Sequence, residues 1–243
     1  MRAVILAAGY GTRLRPLTDT LPKVMLPLNS KPLIFYQIKW LKKYGIKEIA
    51  INLHHLPLKI KEYLDKNDFG VKIRYSYEKN ILGTAGGVKN LENFLKKGHF
   101  MVFYGDNFTN LNIDSLLKFH KKNNGIATIC IHTVDKKSVR QASIVRLAKN
   151  YKIMNFIEKP NFGDATNIDS LKDVFSNAGI YILKPQILNF IPKNKFYDFG
   201  KDVFPKLISY GEAIFGYRLN NCYWREIGTL EKYRELCKIN LKG

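Results

Sequence analysis

Arg2-Ala3-Val4-Ile5-Leu6-Ala7-Ala8-Gly9-Tyr10-Gly11-Thr12-Arg13-Leu14-Arg15-Pro16-Leu17-Thr18 follows the initial Met1 and decides how the rest of the chain is read. Its first part, Arg2–Ala8, is a short apolar run that reads as a buried strand. It is too short, and runs too soon into Gly9 and charged residues, for a signal peptide. The two glycines that follow let the backbone turn tightly and approach a ligand with no Cβ in the way. Successive amides in such a turn can cradle phosphate oxygens, and Arg13 adds a planar fork of donors suited to the same anion. No GKS or GKT follows, which excludes a Walker loop. Arg13-Leu14 stands where a dinucleotide fingerprint needs its third glycine.

Strand-like and helix-like segments alternate beyond this opening. The pattern predicts helices over Pro32–Tyr44, around Leu56–Leu64, over Gly87–Lys97 and over Ile113–Asn123. Pro32 suits a first helical turn, and Gly45 a C-terminal stop. Strands are expected at Glu48–Leu53, Val71–Tyr77, Phe100–Tyr104 and Ile126–Thr133. The second half reads as a hairpin of Ser143–Leu147 and Lys152–Glu158, a polar loop at Asn161–Asp173 and a strand at Gly179–Leu183. A helix over Lys201–Tyr210, strands at Ala213–Leu219 and Tyr223–Ile227, and a closing helix over Leu230–Ile239 follow. The βα repetition implies an α/β fold with a doubly wound, largely parallel sheet, whose ligands bind at the carboxyl ends of the strands. With no internal repeat or linker in view, one domain is expected.

Leu6–Leu28 closely resembles the signature of the sugar-phosphate nucleotidyltransferases, the family of GDP-mannose, UDP-glucose and dTDP-glucose pyrophosphorylases. Five further stretches resemble that family in the same order. They are Gly83-Thr84-Ala85-Gly86-Gly87, similar to a base-recognition loop; Gly105-Asp106, similar to a metal-binding motif; Glu158-Lys159-Pro160; Asn177-Ala178-Gly179; and Trp224-Arg225-Glu226-Ile227-Gly228-Thr229. The resemblance implies a Rossmann-like fold with a mixed, mostly parallel sheet flanked by helices. It also implies a nucleotide-binding part over about 1–135 and a sugar-phosphate-binding part over about 136–243. Gly83–Val88, Phe199–Pro205 and the Trp224 stretch are most similar to the mannose-1-phosphate guanylyltransferase-like short forms.

The implied reaction condenses an NTP with a sugar 1-phosphate, releasing pyrophosphate. GTP and a mannose- or heptose-like sugar are favoured; UTP, dTTP or CTP with another sugar phosphate is the alternative. Positioning and charge neutralisation should dominate, because two anions must meet. The resemblance assigns nucleotide contacts to Leu6, Ala7, Ala8, Gly9, Gly11, Thr12, Arg13, Lys23, Gly83, Thr84, Gly86 and Asp106. It assigns sugar-phosphate contacts to Gly105, Glu158, Lys159, Asn177 and Gly179. Arg13, Lys23 and Asp106 are the expected catalytic residues. Mg²⁺ is the expected cofactor, held by Asp106 and Glu226, since that ion takes one or two carboxylates plus phosphates and water. The family usually carries Asp where Glu226 stands; the longer side chain could reach the metal directly or through water. Without the resemblance, Asp106 would read as a turn residue and Glu226 as a surface partner of Arg225 or Lys232.

Composition limits the alternatives. The formal net charge is +20, yet lysines are spread along the chain rather than gathered into a tract, so a nucleic-acid partner is not expected. No apolar run approaches membrane-spanning length. Cys130, Cys222 and Cys237 are far apart and form no CxxC, which fits a reduced cytoplasmic setting without disulfides. His54-His55 reads as structural or as a pocket rim, because adjacent strand residues face opposite sides and do not chelate one ion. A phosphocholine cytidylyltransferase would want an aromatic cage, and the Glu158 and Asn177 stretches point to a sugar instead. A non-catalytic nucleotide-sugar-binding subunit could dispense with Arg13, Lys23 or Asp106, and all three are present. A homo-oligomer is compatible with the family. Long members carry a further C-terminal β-helix or regulatory domain; acyltransferase activity is not expected of this chain.

Overall fold

The computed structural model describes residues 1–134, 142–160 and 174–239. The expected polar loop at Asn161–Asp173 lies outside them. Two compact units are formed, one by Met1–Ile81, Val102–Asn112 and Cys222–Gly243, the other by Leu82–Met101 and Ile113–Asn221.

The first unit opens with β1 (Arg2–Leu6), followed by a 3-10 turn at Thr12–Leu14 and a four-residue helix, α1 (Leu17–Thr20). A small hairpin of β2 (Pro27–Leu28) and β3 (Lys31–Pro32) leads into α2 (Leu33–Lys43). Pro32 is the extended residue before α2 rather than part of its first turn, with φ −67° and ψ 153°. Gly45, at φ 72°, ends the helix as expected, donating to the Lys42 carbonyl. Next come β4 (Glu48–Leu53), α3 (Pro57–Lys66) and β5 (Lys72–Tyr77). β1 pairs parallel with β4, and β4 with β5. β1 and β4 are buried almost throughout, whereas β5 is at most half-buried along its length. That contrast is expected of a core pair and an edge. Leu14, Leu26, Leu28, Leu33, Ile227 and Leu236 close a buried cluster over the start of α2.

The second unit begins with α4 (Gly83–Lys89) and α5 (Glu92–Leu95), where a loop and one longer helix were expected. The glycines of this stretch serve close packing rather than looseness. Gly83 is at φ 73°, and a Cβ on it would lie 2.6 Å from the Tyr197 carbonyl oxygen. A Cβ on Gly86 would lie 2.6 Å from the Lys195 oxygen. Ala85 and Gly86 amides both donate to Tyr197 O at 3.0 Å, and Tyr197 N donates to Leu82 O at 2.8 Å. α4 can therefore start only where side chains are missing.

β6 (Phe100–Tyr104) runs from the second unit into the first, where it lies beside β1 in the strand order. β7 (Asn107–Thr109) follows in the first unit. The second unit continues with α6 (Ile113–Asn123), β8 (Ala127–Thr133), the antiparallel hairpin of β9 (Ser143–Leu147) and β10 (Ile153–Glu158), and β11 (Phe175–Leu183). β11 pairs antiparallel with β8, interrupted by a register shift between Asn177 and Tyr181. Asn177-Ala178-Gly179 is thus a bulge within a strand, not a turn, and Gly179 takes φ 69° there. A 3-10 segment spans Pro185–Phe190. The expected helix over Lys201–Tyr210 is instead a π-turn at Phe199–Val203 leading into α7 (Phe204–Ser209). Asp198 caps it, accepting from the Gly200 and Lys201 amides. β12 (Ile214–Arg218) pairs parallel with β8. β13 (Trp224–Glu226) and α8 (Leu230–Cys237) return to the first unit, β13 pairing antiparallel with β7. The fold is the expected Rossmann-like α/β arrangement, a mixed sheet flanked by helices. Among the described residues no helix is long and apolar enough to cross a membrane.

Candidate active site

The glycine-rich turn leaves β1 with its amides fixed from below. Ala7 N donates to Asn52 Oδ1 at 2.7 Å, and Asn52 Nδ2 donates to Glu78 Oε1 at 2.7 Å. Gly11 is at φ 66°, a conformation that suits glycine. Thr18 Oγ1 donates to its carbonyl at 2.9 Å, and His55 Nε2 meets the Thr18 carbonyl at 2.8 Å. His54 Nδ1 donates to the Glu78 carbonyl, which leaves Nε2 to accept from the Tyr10 hydroxyl at 2.9 Å. The two histidines follow β4 and do not face opposite sides. Both rings pack on Tyr10, with centroids 5.3 and 5.6 Å away. They are structural, as expected, but as supports of the loop. Ala7 and Ala8 are buried, while Gly9, Tyr10, Thr12 and Arg13 are exposed. That is the distribution a surface anion cradle needs.

Lys23 reaches the same end of the unit. Its Nζ donates to Asp106 Oδ2 at 3.0 Å, with both side chains about one-fifth exposed. Gly105 N donates to Leu6 O at 2.9 Å, and a Cβ on Gly105 would lie 2.5 Å from that oxygen. Only glycine lets the Asp106 turn approach β1 so closely. The Asp106 carbonyl accepts from Ile227 N at 2.8 Å, and Glu226 stands opposite Asn107 in the β7–β13 pair. Asp106 and Glu226 are therefore backbone neighbours. Alternating residues of a regular pair face opposite sides, but Asp106 precedes β7 and is not bound by that alternation. The Glu226 carboxylate pairs with Lys232, one of the two surface partners that its sequence neighbourhood suggested. A Cβ on Gly228 would lie 3.2 Å from Glu226 Oε1 and 3.4 Å from Arg13 Nη2. Gly228 thus holds open the space where Arg13 and Glu226 approach each other.

Mg²⁺ takes one or two carboxylates; Asp106 and Glu226 are the two candidates, each paired with a lysine, and among the described residues no group of three or more His, Cys, Asp or Glu could hold a metal ion. Mg²⁺ completes its octahedron from phosphate oxygens and water.

The second unit holds a separate cavity of about 390 Å³, lined by Phe156, Ile157, Glu158, Lys159, Gly200, Lys201 and Pro205. Burial, reinforced by the nearby Asp198 charge, pushes the Glu158 carboxyl above its ordinary pKa, while Lys159 and Lys201 oppose the shift. Gly200 packs closely beside it: a Cβ there would lie 2.5 Å from Glu158 Oε2 and displace that side chain. Lys159 takes φ 49°, an uncommon conformation for its type. Asn177 and Gly179 are joined within the bulge: Gly179 N donates to Asn177 Oδ1 at 2.9 Å, and Asn177 Nδ2 donates to the Tyr181 hydroxyl at 2.6 Å. Thr84 Oγ1 donates to Asp198 Oδ2 at 2.7 Å and accepts from Phe199 N at 2.9 Å.

A family model described as "Nucleotidyl transferase" matches residues 2–242. The chain belongs to the nucleotidyl transferase family. Among its relatives, a UTP–glucose-1-phosphate uridylyltransferase of Synechocystis is 36% identical over 264 residues, covering 100% of this chain and 66% of the relative. A mannose-1-phosphate guanyltransferase of Yarrowia lipolytica is 37% identical over 232 residues, covering 94% of this chain and 61% of the relative. The chain thus spans a little under two thirds of the length of these relatives. Among solved structures, HddC from Yersinia pseudotuberculosis superposes with a TM-score of 0.80 at 24% identity, covering 97% of both chains. A UDP-glucose pyrophosphorylase complexed with UDP-glucose gives 0.81 at 22% identity, covering 97% of this chain and 96% of that one. At such identities these two likenesses are evidence of the fold.

Several residues of this nucleotidyl transferase bore no assigned role in its sequence motifs. Asn52, Glu78, His55 and Thr18 brace the glycine-rich turn, and Asp198, Gly200 and Lys201 border Glu158. The Phe199–Pro205 stretch was the one available signal for Gly200 and Lys201. Thr18 lies in the Leu6–Leu28 stretch and His55 in the histidine pair read as structural, but nothing in residue type or spacing distinguished Asn52 and Glu78, whose roles depend on strand ends that meet only in the fold.

Proposed function

We propose that this nucleotidyl transferase joins a sugar 1-phosphate to the nucleoside monophosphate of an NTP. A phosphate oxygen of the sugar phosphate attacks the α-phosphorus, the α–β phosphoanhydride bond breaks, and pyrophosphate leaves with the electron pair. The carrying observation is the Lys23–Asp106 pair at 3.0 Å beside the exposed, braced glycine-rich turn of the same unit. It supports a site built to hold a triphosphate and a cation. Gly9, Gly11, Thr12 and Arg13 bind the phosphates that become pyrophosphate, with Leu6, Ala7 and Ala8 at the base of the loop. Lys23 neutralises charge at the α-phosphate or the attacking phosphate. Asp106 and Glu226 would hold Mg²⁺, which supplies charge neutralisation among the phosphate oxygens when bound. Gly83, Thr84 and Gly86 serve the nucleotide. Gly105, Glu158, Lys159, Asn177 and Gly179 serve the sugar phosphate, Glu158 accepting from hydroxyls.

GTP with a mannose- or heptose-like sugar 1-phosphate is the favoured pair, supported by the named guanylyl relatives. UTP with glucose 1-phosphate is the second reading, supported by the Synechocystis relative. The scattered cysteines favour the cytoplasm. A screen of the purified protein against the four NTPs and a panel of sugar 1-phosphates, with pyrophosphate release as the readout, separates these pairs. Pyrophosphate should appear only with Mg²⁺ and a sugar phosphate together. Asp106→Asn should fold and lose most of kcat; full turnover by that variant, or by the wild type in excess EDTA, refutes the metal role.

A further inference from the structure

The buried face of α2 is formed by Leu33, Ile34, Ile38 and Leu41, all fully buried, and by one polar residue in their midst, Gln37, 2% exposed. Its Nε2 donates at 2.9 Å to the carbonyl of Gly105 and at 2.9 Å to the carbonyl of Asn107. The intervening Asp106 carbonyl accepts from Ile227 N at 2.8 Å. Three consecutive carbonyls are thus pinned, two of them by one amide, and the residue between carries the carboxylate that meets Lys23. The amide orientation follows from chemistry, since the reverse would set an oxygen against two carbonyls.

Gln37 brings a cost as well as its two hydrogen bonds. Its Oε1 is buried and has no hydrogen-bond partner among the described residues, which costs about 1–3 kcal/mol. A Met or Leu would avoid that cost but would strip the Gly105 and Asn107 carbonyls of this donor. A polar residue that breaks the local pattern is expected where a site must be fixed in place. We infer that Gln37 is the positioning residue of Asp106, setting the Gly105–Asn107 backbone so that the carboxylate is aimed at a divalent cation. This rests on the proposed metal role of Asp106 and extends it to a residue that touches no ligand itself.

The test reads metal binding rather than turnover. Mn²⁺ alone is titrated into the protein, and the free ion is followed by electron paramagnetic resonance. Removing a residue that orients a ligand typically weakens metal affinity 10- to 100-fold. Gln37→Met, which strips the buried Gly105 and Asn107 carbonyls of this donor, should lower the melting temperature and weaken Mn²⁺ binding about tenfold or more. Gln37→Asn, whose shorter amide reaches one carbonyl rather than two, should fall between Met and the wild type. Wild-type affinity in a folded Met variant overturns the inference while leaving the metal site standing. If the Met variant does not fold, Asn carries the test, and unchanged affinity there overturns it equally. A wild type that binds no Mn²⁺ refutes the metal role itself and the inference with it, a result distinct from the others.

Discussion

Arg13, Lys23, Glu226 and Glu158 each combine a charge with partial exposure, and what they do is decided by their immediate neighbours. Arg13 is exposed and Lys23 about one-fifth exposed. Neither anchors the core, so Arg13→Ala and Lys23→Ala should shift the melting temperature by only a few degrees. Loss of one charge-assisted contact that matters in the transition state should slow the reaction about 10²-fold or more. Wild-type kinetics with a collapsed melting temperature would mark them as structural instead. Glu226 is tested by its reach. If it ligates the metal directly, both Glu226→Gln and Glu226→Asp should raise the Mg²⁺ concentration for half-maximal rate. If it acts through water, Asp is tolerated and Gln is not. Superimposable Mg²⁺ titrations for all three proteins would leave Lys232 as the meaning of that carboxylate. For Glu158, burial beside Asp198 raises the pKa, so the ionised form is disfavoured in the folded state. The sign is that of a carboxyl whose folded pKa lies above its unfolded one: ionisation at neutral pH opposes folding. Glu158→Gln should therefore hold or raise the melting temperature at pH 7 while raising KM for the sugar phosphate. A lower melting temperature with unchanged KM would reverse that reading.

At the scale of elements, α4 is the informative case. Its sequence, Gly83-Thr84-Ala85-Gly86-Gly87, has the composition of a loop, and propensity favours that reading. Tertiary packing overrides propensity, because the Lys195–Tyr197 backbone lies where Cβ atoms would be. In an ordinary exposed helix Gly→Ala stabilises by about 1 kcal/mol. At Gly86 a Cβ 2.6 Å from a carbonyl oxygen must displace backbone, and overpacking of that kind costs about 1–3 kcal/mol. Gly86→Ala should thus lower the urea midpoint, and a raised midpoint would show the contact to be slack. The same rule separates successes from failures elsewhere. Glu48–Leu53, Phe100–Tyr104 and Ile113–Asn123 coincide with β4, β6 and α6 because their apolar periodicity is complete within the segment. The bulge at Asn177–Gly179 and the π-turn at Phe199–Val203 have no such local signature. One arises from the pairing with β8, the other contains the Asp198 cap and packs Gly200 against Glu158.

Over the whole molecule, stability should depend on pH through His120. Its ring is fully buried, with Nδ1 2.8 Å from Thr128 Oγ1 and Nε2 without a partner among the described residues. Burial, with smaller contributions from His99 and Lys184, pushes its pKa down to about 4. Above about pH 6.5 the imidazole is neutral folded and unfolded alike, and contributes nothing to the pH dependence. As pH falls from 6.5 towards 4 the unfolded chain takes up a proton that the folded chain refuses, so stability declines, by a total on the order of 3 kcal/mol. Below pH 4 this contribution levels off. Denaturant melts across that range should show the decline, and His120→Gln should flatten it; an unflattened profile would place the dependence elsewhere. The sequence by itself determined the α/β class, the alternation of elements and the family, because apolar periodicity and six ordered motifs are local properties that survive without coordinates. It also singled out Arg13, Lys23, Asp106, Glu158 and Glu226 as the candidates for the chemistry. Only the tertiary structure decided which groups hold them. Gln37 on the two carbonyls flanking Asp106, Asn52 and Glu78 beneath Ala7, and Gly228 beside Arg13 act across 26 to more than 200 residues of chain. No local pattern encodes such contacts, since they exist only once strand ends and turns distant in sequence are brought together by burial of the apolar faces behind them.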